Sequence, residues 1–345
     1  MPGAAFEIGT AHIVPGSRQT VNLPVSVLSD GTPVTLSVHV VHGRRPGPTL
    51  FVSAAVHGDE VIGVEIARRL LRSPRIDAIR GTLLVVPIVN TFGFLHHARY
   101  LPDRRDLNRS FPGSGGGSLA ARLANLFMTE LVERSDFGID LHSAAVNRTN
   151  LPQVRISPSS DRTVALADAF GAPIVISAGL REGSLRQTAQ ACGVDILLYE
   201  AGEGLRFDEL SARAGVAGIL RVMHALEMIS QKGVARARAE PMHASSTSWT
   251  RAPAGGLVRL FKGTGEYVSV DDLLGVISDP FGEEELEVRS ATAGVVIGRT
   301  NLPVVNEGDA LYHVAEIADP EPETTIGHLT RQLGADPMFD EDEII

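Results

Sequence analysis

A near-continuous apolar run, Leu50 to Val56, leads straight into His57-Gly58-Asp59-Glu60, and helical spacing begins at Val61. That junction constrains the fold more than any other stretch. A strand that is apolar at successive positions must be covered on both faces, as in a sheet sandwiched between helices. Thr82 to Val89 repeats the pattern, and Phe137 to Leu141, Ala172 to Ser177 and Val194 to Tyr199 read as further strands. Helical spacing runs over Val61 to Leu71, Leu119 to Leu131 and Glu209 to Ile229, the last interrupted by Gly215 and Gly218. Strand alternating with helix is the pattern of an α/β layer fold.

The flanks differ in texture. Residues 1–45 alternate short apolar runs with turns such as Ser29-Asp30-Gly31-Thr32-Pro33 and read as β hairpins. Ala235 to Thr250 reads as a linker or a crossing strand. Leu257 to Ile317 holds short strands separated by Gly-containing turns and no convincing helix. The expected division is an α/β unit over 1–238, an all-β domain over 239–319 and an acidic tail over 320–345, with a short helix near Ile326–Leu333. Val270 to Ile277 and Glu307 to Val314 look like half-repeats resembling the barrel-sandwich fold of biotinyl and lipoyl carriers. Gly282 to Val288 has no Lys to modify, so a structural or oligomerising role is expected there, with room for a homo-oligomer.

Composition removes several classes. With 43% apolar and 21% charged residues the chain is globular. It has no run of membrane-helix length and no basic-then-apolar leader, so a cytoplasmic protein is expected. The net charge of −10 is concentrated from Asp319 onward, and no basic patch points to nucleic acid. Cys192 is the single cysteine, which excludes an internal disulfide and fits a reducing compartment. Its place in Ala191-Cys192-Gly193 suggests a small buried residue.

The chemistry sits in three strings: His57-Gly58-Asp59-Glu60, Asp106-Leu107-Asn108-Arg109 and Asp140-Leu141-His142-Ser143. Two His and one Glu form the ligand set of a catalytic zinc that keeps a position open for water. His-x-x-Glu also occurs at His224/Glu227 and His313/Glu316, so context must choose. His224/Glu227 lies in a helix, where such neighbours are commonly a surface pair. His313/Glu316 lies in a strand-like segment of the β domain. His57 and His142 each follow a buried strand, and ligands of α/β sheets gather beyond strand carboxyl ends. Asp140 shares a strand face with His142 and could orient it, or pair with an Arg. Asn108 and Arg109 offer an amide and a guanidinium to an anionic substrate. Gly115 to Ala120 fits a loose dinucleotide pattern, but no strand precedes it; a mobile loop near the site is the better reading.

These three strings, in this order, resemble the succinylglutamate desuccinylase/aspartoacylase family, a branch of the zinc carboxypeptidase superfamily. The resemblance spans roughly Thr49 to Ile317. It implies a zinc-carboxypeptidase-like mixed sheet flanked by helices, with a small C-terminal all-β domain. It implies one Zn²⁺ per chain held by His57, Glu60 and His142, and a Glu general base, for which Glu200 in Tyr199-Glu200-Ala201-Gly202 fits and Glu203 is the rival. It implies that Asn108 and Arg109 bind a substrate carboxylate, that Arg186 is a second anion-binding Arg, and that an upstream Arg polarises the scissile carbonyl. Arg99 is the choice for that role, with Arg104 and Arg105 as alternatives. A C-terminal tyrosine can also reach the family's site, and Tyr267 or Tyr312 would be the candidate. The expected activity is removal of an N-acyl group from an acylated amino acid or related small acid. A metallocarboxypeptidase acting on small peptides and a non-catalytic metal- or ligand-binding protein are the other readings.

Overall fold

The computed structural model describes residues 4–157, 160–237 and 240–317. Most of its strands join one large mixed sheet of thirteen strands. At its centre the Ile196–Gly202, Phe137–His142, Arg45–Ala54 and Arg80–Val86 strands run parallel in that order. The sheet is covered on both faces, as the apolar runs require. Leu50, Val52 and Ala54 face a core built with the Ile62–Arg72, Asp161–Phe170 and Glu209–Ala225 helices. Phe51 faces a second core, with the Leu119–Glu130 helix and the N-terminal hairpins. Among the described residues, no helix is long and apolar enough to cross a membrane.

The glycines that interrupt the Glu209–Ala225 helix are contacts rather than breaks. A Cβ on Gly215 would lie 2.5 Å from Ile66, and one on Gly218 would lie 2.3 Å from the Phe170 ring. The two helices against this one therefore approach where side chains are missing. Gly138 does the same inside the sheet, since a Cβ there would meet Phe51 at 2.2 Å. Gly138→Ala is expected to cost about 1–3 kcal/mol by overpacking. A urea midpoint that falls without a change in slope would show it, and an unchanged midpoint would contradict it.

The C-terminal β region is not detached from this sheet. Its Gly294–Thr300 strand pairs antiparallel with Arg148–Ile156, with Gly298 opposite Asn150. The Ala310–Glu316 and Ser246–Arg251 strands extend the sheet from there. Leu273–Ser278 belongs instead to a separate four-stranded sheet, so the two half-repeats fall in different sheets. The expected short helix near Ile326–Leu333 lies outside the described residues.

Several expectations need correction. Cys192 is exposed, because it caps the Leu185–Ala191 helix rather than entering the following strand. The Glu209 helix ends at Ala225, so His224 is in its last turn and Glu227 lies beyond it with φ of 59°. The Arg148–Ile156 strand and the Asp161–Phe170 and Leu185–Ala191 helices have no counterpart in the sequence reading.

Candidate active site

Strand ends bring the first and third strings together. His57 and Glu60 occupy the turn between the Arg45–Ala54 strand and the Ile62–Arg72 helix, and His142 ends the neighbouring parallel strand. The turn can form because residue 58 has no side chain: a Cβ there would lie 1.9 Å from the Gly93 backbone. His57 Nδ1 lies 2.6 Å from Glu60 Oε1, and His142 Nδ1 lies 2.7 Å from Glu60 Oε2. All three side chains are buried, and one ligand atom from each lies within 4.8 Å of the others.

The outer nitrogens are held by carboxylates. His57 Nε2 donates to Asp106 at 3.2 Å, and His142 Nε2 donates to Asp140 at 2.8 Å. Asp140 is itself steadied by Ser53, its in-register neighbour, at 2.7 Å. A carboxylate only accepts, so each Nε2 carries a hydrogen; a cation taking the place of the Nδ1 proton that faces Glu60 would receive the Nδ1 lone pair. The donor set therefore fits a divalent cation held by His57, Glu60 and His142. The electrostatics agree. Burial pushes both imidazoles toward neutrality, but Glu60 acting on His57, and Asp140 and Glu60 acting on His142, leave both raised. Burial pushes Glu60 up, yet the two imidazoles hold it far below the usual carboxylate range. An environment that attracts protons this strongly also attracts a metal cation.

These residues line a cavity of about 610 Å³, and the other expected residues can be placed against it. Glu200 lines it, lying in register beside His142 on the adjacent parallel strand. Its carboxylate is 2.6 Å from Arg155 Nε. Glu203 does not line the cavity; its two oxygens accept from the Asn147 backbone at 2.9 Å and from Asn301 at 2.8 Å. Arg99 lines the cavity, 2.9 Å from Asp106 and 3.5 Å from Glu60. Arg104 and Arg105 are exposed and outside the lining. Asn108 and Arg109 line it too, but the Asn108 carbonyl is engaged, accepting from the Leu185 backbone at 2.9 Å. That bond docks the helix carrying Arg186 onto the Asp106 string. One guanidinium nitrogen of Arg186 accordingly reaches the Gly179 carbonyl at 3.1 Å, while its Nη1 is buried with no hydrogen-bond partner among the described residues. Burial, with Arg155 nearby, lowers the Arg186 pKa to about 10.

The tyrosine expectation does not hold. Tyr312 is buried with its hydroxyl on the Lys262 and Leu274 carbonyls, Tyr267 packs in an apolar cluster, and neither lines the cavity. Trp249 and His313 reach it instead, from the C-terminal β region. His313 thus belongs to the site, while Glu316 is outside the lining and accepts from Ser246. The sequence reading also missed Arg148, Arg155 and Arg181. An arginine set between Val154 and Ile156 in a half-apolar stretch was the available signal for Arg155. The Gly-rich loop at 113–118 is not part of the lining.

The family model for the succinylglutamate desuccinylase/aspartoacylase catalytic domain matches residues 46–226. The chain belongs to the succinylglutamate desuccinylase/aspartoacylase family. The matched stretch contains the His57–Glu60–His142 cluster, the Asp106 string and Glu200. An N-alpha-acetyl-L-2,4-diaminobutyric acid deacetylase from Halomonas elongata is 28% identical over 300 residues, covering 83% of this chain and 87% of that protein. A solved succinylglutamate desuccinylase/aspartoacylase from Rhodobacter sphaeroides is 28% identical with a TM-score of 0.77, covering 87% of this chain and 96% of that one. The ectoine utilization protein of Ruegeria pomeroyi shares the fold at 24% identity, with a TM-score of 0.78 and coverage of 87% and 94%.

Proposed function

We propose that this chain is a zinc-dependent amidohydrolase that removes an N-acyl group from an acylated amino acid. The observation that carries the reading is the His57–Glu60–His142 cluster sharing one cavity with Glu200 and a set of arginines. Membership of a family whose relatives include a named deacetylase supports it. Zinc held by the three side chains would supply an acidified water and a Lewis acid for the scissile carbonyl.

The chain's own groups do the rest. Glu200 accepts a proton from the attacking water and delivers it to the departing amine. Arg155 holds the Glu200 carboxylate in place through its 2.6 Å contact. Arg99 stabilises the oxygen that gains negative charge as the carbonyl is attacked. Asp106 fixes both Arg99 and His57, so one carboxylate aligns two parts of the site. Arg186 and Arg109 receive the carboxylate of the amino acid, in the planar manner that guanidinium allows. Asn108 positions Arg186 by capping the backbone of its helix.

The β region walls one side of the cavity with Ser246, Thr247, Trp249 and His313. A cavity of about 610 Å³ walled in this way favours a small acyl amino acid over a peptide. The test is a hydrolysis screen of acetyl, succinyl and formyl amino acids alongside dipeptides, with zinc present. Release of free amino acid from at least one acyl series, with dipeptides poorer, is the expected result. Faster cleavage of dipeptides would make the chain a carboxypeptidase, and no turnover at all would make it a binding protein.

A further inference from the structure

Ser53 is a polar residue in a stretch built for apolar ones. It lies between Val52 and Ala54 in the Arg45–Ala54 strand, where the sheet is covered on both faces, and it is fully buried. Burying a hydroxyl is costly unless it is hydrogen-bonded. Among the described residues the Ser53 side chain makes one such bond, donating to Asp140 Oδ1 at 2.7 Å. The two residues are in register on neighbouring parallel strands, so their side chains rise from the same face of the sheet. Asp140 is 2% exposed, and its other oxygen accepts from His142 Nε2 at 2.8 Å. Among the described residues these are the two hydrogen bonds its carboxylate makes.

The two imidazoles that face Glu60 are therefore anchored differently. Asp106, behind His57, is itself held by the Asn108 backbone at 2.8 Å and by Arg99 at 2.9 Å. Asp140, behind His142, has only the Ser53 hydroxyl for its second oxygen among the described residues. Without that hydroxyl, Oδ1 would be a buried acceptor with no donor, and the carboxylate would be free to turn and offer either oxygen to His142. Such a turn swings the imidazole plane, and with it the direction in which Nδ1 faces Glu60 and a cation. Ser53 does not line the cavity, so it reaches the site only through this carboxylate. We propose that Ser53 is a positioning residue of the metal site, fixing the His142 ring through Asp140 while touching neither cation nor substrate. This role deepens, and rests on, the reading of the His57–Glu60–His142 cluster as a zinc site.

The experiment measures the zinc affinity of the full chain by competition with a coloured chelator, for wild type, Ser53→Ala, Ser53→Thr, Asp140→Asn and the Ser53→Ala/Asp140→Asn double variant. Ser53→Ala should weaken zinc binding about 3- to 10-fold, less than Asp140→Asn, which removes the charge that the imidazole touches. The double variant should bind zinc as Asp140→Asn does, because a residue acting only through Asp140 has nothing further to lose once that carboxylate is gone. Ser53→Thr keeps the hydroxyl on a side chain suited to a strand and should restore most of the affinity. A role in packing alone would lower the unfolding temperature of metal-free Ser53→Ala and leave its zinc affinity at the wild-type value. That result would overturn the proposal, as would losses that simply add in the double variant, or a Ser53→Thr that folds and binds zinc no better than Ser53→Ala. Should wild type bind zinc but hydrolyse no acyl amino acid, the hydrolase reading fails alone, and the affinities still decide the role of Ser53. A wild type that takes up no zinc would overturn the metal site and this role together.

Discussion

Glu200→Gln is expected to bind zinc as wild type does and to lose about 10²- to 10⁴-fold in kcat, the range typical of a positioned general base. The substitution is nearly isosteric, so the strand and its pairing with His142 should persist. The amide cannot take up a proton, and its contact with Arg155 loses its charge. Glu203→Gln is the informative control. Glu203 bridges the Asn147 backbone and Asn301, so its loss should appear in unfolding temperature rather than in kcat. Turnover measured on both variants separates the roles. Near-wild-type activity in Glu200→Gln would remove it as the base.

His142→Ala is expected to bind less than one tenth of the zinc of wild type and to show no turnover at substoichiometric metal. Two of the three ligands would remain, but Glu60 and Asp140 would each lose a buried partner. The loss of affinity should exceed the roughly 10- to 100-fold typical of a residue that only supports a ligand, a range Asp140→Asn should occupy. Zinc binding to the folded chain should also raise its unfolding temperature. A chelator should therefore lower the unfolding temperature of wild type and leave that of His142→Ala almost unmoved. Retention of one tight zinc in His142→Ala, measured by elemental analysis after dialysis, would move the site elsewhere.

The parts of this architecture that were legible in the chain are those set by local pattern. Leu50 to Val56 is apolar at nearly every position because both faces of its strand are covered, and a buried strand followed by a tight turn is where His57 and Glu60 had to be. His142 was legible for the same reason, although 82 residues separate it from Glu60. What the pattern could not carry is contact across the chain. Resemblance favoured Arg99 but left Arg104 and Arg105 open as alternatives, and the approach of Arg99 to Asp106 and Glu60 separates them. The Arg148–Ile156 strand went unread because Asn150, Pro152 and Gln153 break its apolar alternation, and Arg148 and Arg155 went with it. Trp249 and His313 could not be assigned to the cavity for a different reason. They reach the cavity because the C-terminal strands join the central sheet where Gly298 lies opposite Asn150, a pairing with no local signature. The tyrosines suggested by resemblance satisfy their own region instead, Tyr312 by bonding to two backbone carbonyls.

The central claim is that one metal ion at His57, Glu60 and His142 makes this cavity an amidohydrolase site. It is tested most directly by titrating chelator-treated, fully dialysed chain with Zn²⁺ while following release of free amino acid from the best N-acyl substrate of the screen. No release is expected without metal, then a linear rise to one equivalent of zinc per chain and a plateau beyond it. Full turnover in the zinc-free chain, or none with one equivalent tightly bound, would contradict it.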